Sequence, residues 1–143
     1  MAEQPLLNVA DNRCCFICGP RNPIGLKVKP VRDAQAGTAS LAVTIPPEFQ
    51  GWEGLAHGGI VAALLDEVAA YAGMAVSTQI VTAELNVRYL KPVPTGVSVA
   101  VNAKIREIVR RSVWVDAALE HDGVVLARAE ARMMILKTPP QAS

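Results

Sequence analysis

Six aromatic residues, two each of Phe, Trp and Tyr, are all that 143 positions carry, so Val, Ala, Leu and Ile must fill the core. Side chains of that size suit a helix lying close against a sheet. A net charge of +1 excludes the strongly basic surface that draws a chain to nucleic acid or an anionic membrane. Long hydrophobic runs are missing too. The most apolar tract is broken by Asp66 and Glu67 well short of the roughly 20 apolar residues of a membrane span. Met1 to Asn8 shows no basic region followed by an apolar stretch, so no secretory signal is read and a soluble, cytoplasmic protein is expected. The three cysteines, at 14, 15 and 18, form no disulfide framework. Cys15-x-x-Cys18 offers two of the four ligands of a zinc site, and only Cys14, His57 and His121 remain to be recruited. Neither a metal nor a redox centre is expected, and no cofactor is implied. Phosphate-binding glycine patterns are absent as well.

What the chain does have is one strong helical stretch, His57 to Gly73, free of Pro and rich in Ala and Leu. Gly58-Gly59 lets the backbone turn tightly into it. Its apolar residues run all the way round, the pattern of a helix buried on every side. Asp66 and Glu67 in its middle are then costly unless paired or put to chemical use.

Strand patterns surround this helix. Leu26 to Lys29 alternates and reads as a first strand, ended by Pro30 and paired as a hairpin with Thr38 to Ile45. Pro46-Pro47 stops the second strand. The loop that follows carries Phe49 and Trp52, which either line a pocket or plug one end of the core. Four alternating runs come after the helix, from Val81, Val97, Ser112 and Val125, the last two joined by an Asp122-Gly123 turn. Alanines at 83, 103, 117, 127, 129 and 131 fall on the inward faces and let a helix approach closely. An α+β fold follows: a long antiparallel sheet curled around one central helix. It is read as a single domain over residues 1–143, with loose tails at 1–13 and 138–143.

Two positions on the helix carry the chemistry. Exposed N–H groups at a helix N-terminus stabilise negative charge, so the Gly58 N–H can polarise a carbonyl and hold an oxyanion; alternatively, the glycines only permit the turn. Asp66 reads as a general base for water, as a nucleophile, or as a buried carboxylate bonded to neighbouring backbone. The two are eight residues apart, ~12 Å of rise, so one small acyl group cannot touch both within one chain. If they serve one reaction, Gly58 of one chain faces Asp66 of another, and a homodimer is implied. Glu67 points ~100° away around the helix, which suits an ion pair at the subunit interface. His57 and Gly59 flank the opening, His57 as a satisfied residue near the cap. Thr82 sits on the polar face of the next strand, within reach of water or carboxylate. Arg88, Lys91, Lys104, Arg106, Arg110 and Arg111 form a loose basic set that suits either a nucleotide phosphate or a solvated hairpin end.

His57-Gly58-Gly59, followed by Leu65-Asp66-Glu67 and by Asn86 to Pro94, resembles the hot-dog-fold acyl-CoA thioesterases, specifically the phenylacetate-degradation-like (PaaI-like) group. Cys15 to Gly19 with Asn22 to Leu26 resembles an N-terminal segment of one bacterial branch. The resemblance implies a homodimer, often paired into a tetramer, that hydrolyses an acyl-CoA substrate. It gives Gly58 the oxyanion-hole role, Asp66 that of the catalytic acid residue, and Thr82 a position often Ser or Thr. Relatives often carry Asn or Gln in the loop before the glycines; here Gly51 stands at that spacing, with Gln50 beside it as a substitute. Two rival readings share the fold: a hot-dog dehydratase or hydratase, whose own His-and-acid motifs are not found, and a non-catalytic acyl-CoA-binding or regulatory module.

Overall fold

A computed structural model of the protein describes residues 9–137. Six strands and one long helix follow in order: β1 (Val31–Asp33), β2 (Thr38–Thr44), α1 (Gly58–Gly73), β3 (Ile80–Tyr89), β4 (Ser98–Val109), β5 (Ser112–His121) and β6 (Val124–Ile135), with a 3-10 turn at Pro47–Phe49 before α1. The strands form one antiparallel sheet in the order β1-β2-β4-β5-β6-β3. The sheet curls round α1, the arrangement that the hot-dog resemblance implies. Short turns close the hairpins where positive φ is needed, at Asp122 (φ 50°) and Gly123 (φ 76°) between β5 and β6. No helix among the described residues is long and apolar enough to cross a membrane.

The core lies between α1 and the sheet. Val61, Leu64, Leu65, Val68, Ala69 and Ala72 form the buried stripe of the helix, facing Val99, Val101, Val113, Val115, Leu119 and Met133. Ala103, Ala117, Ala127, Ala129 and Ala131 are buried as their spacing required. The helix is not buried all round, however. One chain's sheet covers one side, leaving Ala62, Ala63, Asp66, Glu67 and Ala70 half-buried on the other. Neither carboxylate is fully enclosed, which corrects the expectation drawn from the all-round apolar pattern.

Other departures have local causes. Leu26 to Lys29 is not a strand: Lys27 has a φ of 54°, and Leu26 and Val28 donate their N–H groups to the carbonyls of Phe16 and Ile17. That alternation docks the cysteine loop, and the true first strand starts at Val31. Within the segment read as the N-terminal tail, the Gln79 amide bonds both the N–H and the carbonyl of Val9 at 3.0 and 3.1 Å. The remainder of the expected tails, 1–8 and 138–143, lies outside the described residues. Trp52 plugs nothing, being 83% exposed. A register shift between Leu119 and Glu120 carries Leu126 inward and buries it. A second shift, in β3 between Thr82 and Glu84, sets Thr82 opposite the buried Met133 and leaves Ala83 exposed. Thr82 is therefore on the inner face, not the polar one, and Ala83 is the one inward alanine misplaced.

Candidate active site

The start of α1 is built from a loop folded back on itself. Ala56 N–H bonds Val93 O at 2.8 Å, and His57 N–H bonds Phe49 O at 3.0 Å. The Gln50 side-chain oxygen accepts from Gly54 N–H at 3.1 Å, so its amide oxygen closes the loop. His57 is the N-cap: its Nδ1 accepts the Gly59 N–H at 2.9 Å. With Gly59 engaged and the Ile60 and Val61 N–H groups bonded to His57 O, the Gly58 N–H is the unengaged donor of this turn among the described residues. Tyr89 Oη donates to Gly58 O at 2.7 Å and ties the end of β3 to the helix start. A hollow of about 440 Å³ opens here, lined among others by Trp52, Gly58, Val61, Tyr89 and Lys91. A larger one, about 760 Å³, lies on the outer sheet face by Ser40, Asn102 and Asp116, the face away from the helix.

Two turns along, Asp66 leaves the helix on the half-buried flank and meets β3. Thr82 Oγ1 donates to Asp66 Oδ1 at 2.6 Å. The bulge at Ala83 is what aims the hydroxyl there. Among the described residues β3 pairs only with β6, so its other edge is open beside this pair.

Glu67 takes the other flank and turns toward the cysteine loop of its own chain. Its Oε2 accepts from Cys15 Sγ at 3.8 Å, and Tyr71 Oη donates to Cys18 Sγ at 3.6 Å. It enters no ion pair with the described residues of its own chain. Burial raises the Glu67 pKa, with the thiol hydrogen bond from Cys18 working against it. Burial also pushes the Cys18 thiol up to about 12, and Glu67 adds to the effect. Sequence reading missed this neighbourhood because Cys15 and Glu67 are 52 residues apart.

The basic set does not stay together. Lys91 lines the hollow beside Gly58, and Arg88 precedes Tyr89 on β3. Lys104 is on the outer sheet face, where Arg106 is bound to Asp116 at 2.9 Å and Glu130 at 2.7 Å. Arg110 occupies the β4–β5 turn, and Arg111 Nε bonds Ile135 O at 2.9 Å. Ile135 pairs with Ile80, which packs on Gly73 at the far end of α1. A helix of 16 residues, ~24 Å long, therefore separates these arginines from Lys91.

A model of the thioesterase superfamily matches residues 53–127, from the loop before α1 into β6. The acyl-coenzyme A thioesterase THEM4 of Xenopus laevis is 27% identical over 94 residues, covering 66% of this chain and 42% of that protein. Its Rattus norvegicus counterpart is 30% identical over 94 residues, covering 64% and 40%. The match thus spans about two fifths of the length of those relatives. A phenylacetic acid degradation-related protein of Ralstonia eutropha JMP134 superposes with a TM-score of 0.70 at 26% identity, over 77% of this chain and 86% of its own.

Proposed function

Because the chain belongs to the thioesterase superfamily, we propose that it hydrolyses an acyl-CoA thioester to the free acid and coenzyme A in a site shared by two copies of the chain. The observation that carries the reading is the 2.6 Å hydrogen bond from Thr82 to Asp66, held on the open flank of the helix beside the unpaired edge of β3. A carboxylate fixed through one oxygen keeps the other for water, and its place at that edge leaves it facing whatever a second copy brings.

In this reading the substrate carbonyl accepts the free N–H of Gly58 from one chain. Asp66 of the other chain takes a proton from water as its oxygen attacks the carbonyl carbon. The tetrahedral intermediate, its oxyanion on the Gly58 N–H, collapses by expelling the coenzyme A thiolate. The proton held on Asp66 then goes to that thiolate or to solvent, and the carboxylate is restored. Thr82 is a positioning residue, and His57 and Gln50 shape the turn that presents Gly58. In this reading Lys91, beside the hollow, meets a phosphate of the coenzyme, with Arg88 three residues before it.

Thiol release from aromatic and aliphatic acyl-CoA esters tests the proposal. Wild-type protein turns over at least one class, and Asp66→Asn falls ~10²-fold or more, the scale of a general base. An Asp66→Asn variant as active as wild type would remove the carboxylate from the mechanism. Binding of acyl-CoA without thiol release would make the chain a binding module or a non-cleaving enzyme.

A further inference from the structure

The cysteine loop is left over once the site above is described, and its geometry is specific. Cys15 Sγ, Cys18 Sγ and a carboxylate oxygen of Glu67 lie within 4.8 Å of one another. Tetrahedral zinc, with bonds of about 2.3 Å to sulfur and roughly 2.0–2.2 Å to oxygen, sets neighbouring ligand atoms roughly 3.5–3.8 Å apart. The Cys15 to Glu67 separation of 3.8 Å already meets that spacing.

The backbone between the two cysteines is shaped to serve a thiolate. The N–H groups of Ile17 and Cys18 approach Cys15 Sγ at 3.4 and 3.5 Å, and Gly19 N–H bonds Cys15 O at 2.7 Å. A Cβ at Gly19 would lie 2.3 Å from Cys15 N and 2.6 Å from Arg13 O, so only glycine lets the chain turn this tightly. Ile17, 2% exposed, anchors the loop in the core. Cys14 is turned out to solvent, its Sγ 3.6 Å from Asn12 O. The three cysteines thus sort into a converging pair and one outsider. Glu67, the third member, has no basic partner among the described residues.

We propose that Cys15, Cys18 and Glu67 form a binding site for a thiolate-preferring divalent cation, zinc foremost, that staples the N-terminal loop to the middle of the central helix. Solvent takes the fourth position, and Tyr71 Oη supports Cys18 from outside the coordination sphere. The cation fixes Glu67, one residue from Asp66, and so holds the helix where Asp66 meets β3. This goes beyond the hydrolase reading and does not depend on it.

The test uses the whole chain, stripped with a chelator under reducing conditions and titrated with Co²⁺. Wild type is expected to take up roughly one Co²⁺ per chain with thiolate-to-cobalt charge-transfer bands, displaced by Zn²⁺. Cys14→Ser leaves bands and stoichiometry unchanged, whereas Cys15→Ser and Cys18→Ser abolish them. Glu67→Gln keeps both thiols and weakens Co²⁺ binding about tenfold or more. Absence of charge-transfer bands in wild type overturns the proposal, as does Glu67→Gln binding Co²⁺ as tightly as wild type. Equal loss in Cys14→Ser and Cys15→Ser overturns it too, and circular dichroism ensures that each variant compared is folded. All readouts are metal binding, so failure of the hydrolase reading leaves them unaffected.

Discussion

At the scale of single residues, Thr82 and Gly58 make opposite demands on a mutagenesis experiment. Thr82 donates a hydrogen bond to Asp66, and Thr82→Val removes the donor while keeping the shape. A hydrogen bond to a charged group is worth about 1.5–3 kcal/mol, so thiol release is expected to fall about tenfold to a hundredfold, with Thr82→Ser restoring most of it. A fall equal to that of Asp66→Asn would mean that Thr82 does more than hold the carboxylate. At Gly58 the group that the proposed mechanism uses is the backbone N–H, which proline alone among the residues lacks. Gly58 is the first residue of α1, where proline is tolerated, and His57 before it has φ −59° and ψ 136°, values that a residue preceding proline favours. Gly58→Pro should therefore fold and lose roughly 10²- to 10³-fold in turnover. Retained turnover in a folded variant would show that the oxyanion finds its donor elsewhere.

At the scale of elements, the helix owes its stability to one stripe. Leu64 has no exposed surface at its centre, and Leu64→Ala is expected to cost about 2–5 kcal/mol in a denaturant melt. A loss below about 1 kcal/mol would mean that the stripe repacks around the gap, contrary to the close packing of protein interiors. The helix was legible in its Ala- and Leu-rich, Pro-free composition and the strands from β2 onward in their alternation, because burial on one face imprints a period on a strand. Three features were not legible. Leu26 to Lys29 has the alternation of a strand but spends its backbone hydrogen bonds on the cysteine loop. The bulge at Ala83 leaves no mark in the composition, yet it decides which way Thr82 points. The convergence of Cys15, Cys18 and Glu67 depends on tertiary packing, which no local pattern encodes. Of the candidate site, the glycine pair and the helical carboxylate could be read from residue type and spacing; the side chains that support them needed the fold.

At the scale of the molecule, β3 is a ten-residue strand with one edge unpaired among the described residues, and Val81 and Tyr89 are exposed along it. An open edge of that length invites pairing with another chain, and a second copy bringing its helix start to Asp66 would complete the proposed site. Mixing inactive Asp66→Asn with inactive Gly58→Pro, under conditions where chains exchange, tests this. Each mixed dimer would then hold one intact Gly58 facing one intact Asp66, so activity should reappear; if the two residues act within one chain, none does. If the proposed site is right, the uninterrupted helix that separates Gly58 from Asp66 makes catalysis a matter of concentration, since a single copy then carries half of each site and the whole of none. Upon dilution, turnover per chain should hold steady while dimers persist, then decline in proportion to total protein once they dissociate.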